Sequence, residues 1–168
     1  MRHTMHLIHL TGLAVFLLLL AGCGFSLKGY QHASPNLNGL YVEGGEQRGT
    51  LAGVIQQQLS LAEVKLATSR EQSVNRLRIS DERFGQRVIS VDANGKVLEY
   101  ELQLVASFEV MGSDGEERLS PQTLKLTRQL TFGGADELSR RSEAELIHID
   151  MLEDMAGQII RRLQAQLE

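Results

Sequence analysis

The side chains able to do chemistry in this 168-residue chain are few, and their spacing argues against catalysis. There is one cysteine, Cys23, so neither a disulfide framework nor a cysteine-based zinc site can form within the chain. Glu145-x-x-His148 has the i, i+3 spacing of di-iron bundles, but that chemistry needs the motif twice plus further glutamates, and no second copy exists. No nucleophile elbow, H-E-x-x-H helix or phosphate-cradling glycine loop occurs, and Gly44-Gly45 and Gly133-Gly134 read as turns. Glu99 and Glu101 alternate along a strand-like run, where paired carboxylates are usually just solvated. The remaining chemistry is anion binding. Lys96, Lys125, Arg128 and the adjacent pair Arg140-Arg141 are the bases near turns or strands that could give phosphates charge-assisted hydrogen bonds. A formal net charge of -4 argues against nucleic acid as the partner, and any anion must be held by a local patch rather than by the general field.

The first 23 residues have an organisation of their own. Arg2 is the only Lys or Arg before Cys23, the run Leu7 to Leu20 is almost wholly apolar, and no acid appears before Glu43. A basic start, an apolar stretch of this length and small residues at its end make a secretory signal, shorter than the roughly 20 residues of a comfortable membrane span. Leu20-Ala21-Gly22-Cys23 resembles the lipobox of bacterial lipoproteins. That resemblance implies a diacylglycerol on the Cys23 thiol, cleavage after residue 22 and acylation of the new amino terminus. Covalent acyl chains on Cys23 are the only non-protein group expected. The residue after the cysteine is Gly24 rather than the Asp that retains such lipoproteins in the inner membrane, which implies transport to the outer membrane.

Beyond the lipid-bearing cysteine, residues 23–38 read as a tether with Gly24, Gly29 and Ser34-Pro35, and residues 39–168 as one α+β domain. Leu40-Tyr41-Val42 is a short strand. Leu51, Val54, Ile55, Leu59 and Ala62 recur at helical spacing behind the N-cap Thr50, and Val64–Ala67 reads as a brief edge strand. A strand-like run from Leu77 to Val91 leads into Asp92-Ala93-Asn94-Gly95, a hairpin signal. The next run is the cleanest: Leu98, Tyr100, Leu102, Leu104, Ala106, Phe108 and Val110 alternate with Glu99, Glu101, Gln103, Ser107 and Glu109. After Ser113-Asp114-Gly115 a third run sets Leu124, Leu126, Leu130 and Phe132 against Lys125, Thr127, Gln129 and Thr131. A period of two held this long predicts an antiparallel sheet with one buried face. Ser142-Glu143-Ala144-Glu145 has the form of a capping box, so a final helix is expected to start there, leaving Arg140-Arg141 in the loop before it. Its apolar stripe is Leu146, Ile149, Leu152, Ala156, Ile159, Ile160, Leu163 and Leu167. Two amphipathic helices and a sheet of about four strands can bury their faces only against each other, in a two-layer sandwich of order β-α-β-β-β-α.

Several pieces, in order along residues 21 to 163, resemble the LPS-assembly lipoprotein LptE family: Cys23-Gly24-Phe25-Ser26-Leu27-Lys28, the hairpin Asn94-Gly95 leading to Glu99-Tyr100-Glu101-Leu102, and Asp154-Met155-Ala156 through Arg162-Leu163. The resemblance implies a non-enzymatic, lipid-anchored protein on the periplasmic side of the outer membrane. Such a protein would plug and help assemble the LptD β-barrel and bind lipopolysaccharide during its delivery to the outer leaflet. Where family members can carry a base before the hairpin Asn-Gly, this chain has Ala93, and the nearest base is Lys96. The lipopolysaccharide contacts expected are thus Arg140, Arg141 and Lys96. The alternative is a structural or chaperone-like envelope lipoprotein that binds another protein without a lipid ligand.

Overall fold

The computed structural model describes residues 35–131 and 137–167; Cys23, His32, Phe132 and Gly133-Gly134 lie outside them. Strand β1 (Leu40–Val42) is followed by helix α1 (Leu51–Leu61), the long strands β2 (Asn75–Val91), β3 (Val97–Gly112) and β4 (Glu117–Thr131), and helix α2 (Glu137–Gln166). The strands lie side by side in chain order, with β1 parallel to β2 and the other pairs antiparallel. This is the α+β arrangement expected, and no helix among the described residues is long and apolar enough to cross a membrane.

The alternation in β3 decides the architecture. Leu102, Leu104, Ala106, Phe108 and Val110 are all buried on the helix side, and the residues between them remain partly accessible. Two turns of one design fold the sheet back on itself. In each, an aspartate side chain accepts backbone N–H bonds: Asp92 Oδ1 from Asn94 and Lys96 at 2.8 and 2.9 Å, and Asp114 Oδ1 from Glu116 at 3.0 Å. In each, the glycine that follows, Gly95 or Gly115, sits at φ near +80°, where a Cβ would be strained. Asn94 does not share that conformation; the aspartate does the work expected of it.

Helix α1 begins where Thr50 accepts a hydrogen bond from Gly53 N at 3.2 Å, as an N-cap should. The same helix end is held from the sheet: both carboxylate oxygens of Glu82 accept from Leu51 N, at 3.2 and 3.1 Å. Glu82 can reach it because β2 carries a bulge between Ser80 and Arg83, with Asp81 at φ 54°. The extra residue reverses which positions face the helices. Before the bulge Leu77 and Ile79 pair with Val110 and Phe108; after it Phe84, Gln86 and Val88 pair with Leu104, Leu102 and Tyr100 on the same inner face.

Three sequence expectations are corrected. Val64–Ala67 is not a strand, but an extended segment that bonds back to the start of β1, through Gly39 N to Lys65 O (2.7 Å) and Ala67 N to Leu40 O (2.9 Å). The final helix does not start at Ser142. It already includes Glu137, because Glu-Leu-Ser-Arg-Arg contains no breaker and the S-x-x-E pattern can sit inside a helix as well as at its start. Arg140 and Arg141 therefore stand on the helix, not in a loop. Leu146 and Ile149 are not core residues; they are 68% and 48% exposed, and the core side of α2 is formed by Met151, Leu152, Met155, Ala156, Ile159 and Leu163. At the other end of the domain, a short 3-10 turn at Pro35–Leu37 seats Leu37 fully in the core, so packed structure begins before the first strand.

Candidate functional site

Helix α2 runs along β3 from the β2–β3 hairpin end of the sheet towards the other end. Near its start Arg140 Nη1 donates to Tyr100 Oη at 3.1 Å, with the guanidinium 5.5 Å from the centre of the tyrosine ring. Mid-helix, Arg128 of β4 donates to Asp154 at 2.8 Å and lies 3.9 Å from Asp150. Towards the end, Arg162 and Gln166 bond Gln122 at 3.1 and 2.7 Å. Arg128, placed by the alternation among apolar neighbours on β4, is thus turned to a polar partner on the helix. Helix α1 packs on α2 and on the β1–β2 end, with Gln58 donating to Glu153 O at 3.0 Å.

Between β2 and the first half of α2 lies an open cleft lined by Phe84, Gln86, Arg140, Arg141, Ala144, Glu145 and His148. Phe84 and His148 stack across it, ring centres 3.9 Å apart and planes 19° from parallel. Burial pushes the His148 pKa below its ordinary value, against the raising pull of Glu82 and Glu145. The cleft therefore joins two guanidinium groups to apolar surface, with Phe84 still 38% exposed and Val88 48% exposed two residues further along β2. That combination suits an amphiphile with an anionic head. Cations near a helix start gain nothing from the helix dipole.

Of the expected anion contacts, the structure brings Arg140 and Arg141 together on this cleft. Lys96 stands at the hairpin tip of the same end of the sheet, exposed, but it is not part of the cleft wall; along β3 it lies four residues from Tyr100, about 13 Å. Lys125 is on the outer face of β4. There Arg78 pairs with Glu109, and Arg87 donates to Glu101 at 2.7 Å, a bond that holds the Glu101 carboxyl below the usual carboxylate range. The outer face is thus a ladder of cross-strand polar pairs, and among the described residues no group of three His, Cys, Asp or Glu gathers to hold a metal. Phe84 and His148 were missed by sequence reasoning. The bulge hides the inward register of Phe84, and His148 reads as a helix-surface residue unless its partner strand is known.

Comparison with known proteins gives consistent results. The family model described as LptE, lipopolysaccharide-assembly, matches residues 37–163. The chain is 32% identical over 166 residues to the LPS-assembly lipoprotein LptE of Yersinia enterocolitica, covering 97% of this chain and 77% of that one. It is 31% identical over 163 residues to the protein of the same name from Photorhabdus laumondii, covering 97% and 87%. Among solved structures, lipoprotein B of Nitrosomonas europaea superimposes with a TM-score of 0.68 at 28% identity, over 84% of this chain and 91% of that one. The rare lipoprotein B of Shewanella oneidensis gives 0.63 at 22% identity, over 75% and 92%, a likeness of fold.

Proposed function

Because the chain belongs to the LptE lipopolysaccharide-assembly family, we propose that it is the lipid-anchored subunit of the lipopolysaccharide translocon, on the periplasmic side of the outer membrane. In this reading it plugs the LptD β-barrel, assists its assembly and binds lipopolysaccharide on its way to the outer leaflet, with no catalytic step. The observation that carries the proposal is the likeness to LPS-assembly lipoproteins over 97% of the chain.

The physical features support each part. Cys23 is the lipid attachment point; a single acyl chain binds a membrane only marginally, whereas two or more anchor stably. The outer face of the sheet carries Arg78–Glu109 and Arg87–Glu101 pairs, which suits the polar lumen of a barrel. Lipopolysaccharide presents phosphates beside acyl chains. Arg140, oriented by Tyr100, and Arg141 offer bidentate donors to the phosphates, and Phe84 and Val88 offer apolar surface beside them. Lys96 extends the basic surface towards the hairpin tip.

Changing both Arg140 and Arg141 to Asp is expected to weaken lipopolysaccharide binding several-fold, with the larger deficit at low salt, since exposed charges are screened beyond about 8 Å at physiological ionic strength. Carboxylates near a helix start are tolerated by the dipole, so the fold should survive. A pull-down against lipopolysaccharide at two salt concentrations, run beside LptD binding, measures this. Retention of lipopolysaccharide at the wild-type level by the double variant would assign these arginines to ordinary surface charge.

A further inference from the structure

From Leu138 to Asp150, α2 has no buried side chain; its first buried residues are Met151 and Leu152. Leu138, Leu146 and Ile149 in this half are 74%, 68% and 48% exposed, and of its apolar residues only Ala144 and Ile147 pack against the core. Among the contacts between this half and the sheet are Arg140 on Tyr100 and the stack of His148 on Phe84. Phe84 lies on a stretch of β2 that has no strand on its far side among the described residues, because β1 pairs only with Asn75–Leu77. His148 Nε2 is buried beside it with no hydrogen-bond partner among the described residues.

We propose that the His148–Phe84 stack is a pH-operated clasp, closed while the imidazole is neutral and released when it takes up a proton, so that acidification frees the first half of α2 from the edge of the sheet. A protonated imidazole needs acceptors at both nitrogens, and the buried Nε2 has none among the described residues. The charged groups around the ring have been set against this cost. Glu82 from the β2 bulge and Glu145 from the same helix favour the proton, and Glu82 is already engaged as acceptor for Leu51 N. Arg140 and Arg141 line the same cleft. Helix α1 contains no charged side chain, the inward positions of β3 are uncharged, and Arg128 of β4 is held by Asp154 and Asp150. Burial outweighs the two carboxylates, so the clasped state has the lower pKa. The clasped helix then binds fewer protons than the released one, and clasping is lost as pH falls through the range below the ordinary histidine value. Arg140 and Arg141 lie about two turns from the clasp on the same helix, so they would move with it. The clasp itself does not depend on what the arginines bind.

Hydrogen exchange of the processed full-length lipoprotein in detergent, corrected for intrinsic rates, tests the inference between pH 7.5 and pH 5. Amides of residues 138–150 should lose protection several-fold at the lower pH while those of residues 151–166 keep theirs. His148→Phe retains a ring on Phe84 without a titrating group, and should abolish the pH response. Direct titration of the His148 imidazole by NMR should give a pKa below that of histidine in an unstructured peptide. Equal protection of residues 138–150 at both pH values, a wild-type response in His148→Phe, or a His148 pKa at or above the peptide value would each overturn the clasp.

Discussion

Leu104→Ala is expected to destabilise the domain by ~2–5 kcal/mol, through lost transfer free energy and an unfilled cavity. Leu104 has no exposed surface, lies in the central strand and is flanked across the ladders by Phe84 and Leu126. Leu102, equally buried and paired with Gln86 and Arg128, should behave alike. Domains of this kind have about 5–15 kcal/mol in total, so either change removes a large share. Gln129→Ala, on the exposed outer face of β4, should stay within about 0.5 kcal/mol. Urea midpoints at unchanged slope are the measurement. A ranking with Gln129→Ala as the most harmful of the three would mean that the two faces of the sheet have been exchanged.

Cys23→Ala is expected to abolish membrane anchorage almost completely. The thiol is the only group in the chain that can accept the diacylglycerol, and each methylene buried in lipid adds about 0.8 kcal/mol. The variant should appear as an uncleaved precursor or as a soluble periplasmic form, without the mass of the acyl chains. Fractionation of the envelope with intact-mass measurement reads both. Normal outer-membrane recovery at a mass changed only by the substitution would remove Cys23 from the anchoring scheme.

Much of the fold could be read before any coordinates, for a definite reason. In β3 the inward positions from Leu98 to Val110 carry no charge, while Glu99, Glu101, Gln103, Ser107 and Glu109 face outward, and slipping the register by one would bury the glutamates, so the pattern admits a single orientation. The aspartate-glycine turns and the Thr50 cap are local chemistry and were equally legible. The start of α2 was not, because a capping-box pattern does not exclude helix on its N-terminal side. Nor was the exposure of Leu146 and Ile149: periodicity marks an apolar stripe, but it does not say how far along the helix there is a sheet to cover it. In β2 the bulge at Ser80–Arg83 breaks the alternation, and with it the sign that Phe84 faces inward. The site followed the same division. Arg140 and Arg141 stand out as an adjacent pair of bases in an acidic chain, but Tyr100, Phe84 and His148 join them only through pairing between elements distant in sequence. The position of Arg140 against Tyr100, and not a loop, is what the coordinates add to the anion contact.

Whether the family relation extends to the proposed partnership is tested most directly by purifying the lipidated chain from the envelope in mild detergent. The expected result is recovery in a heat-modifiable complex with the LptD β-barrel, with lipopolysaccharide associated. Recovery of a monomer with neither barrel nor lipopolysaccharide would contradict it.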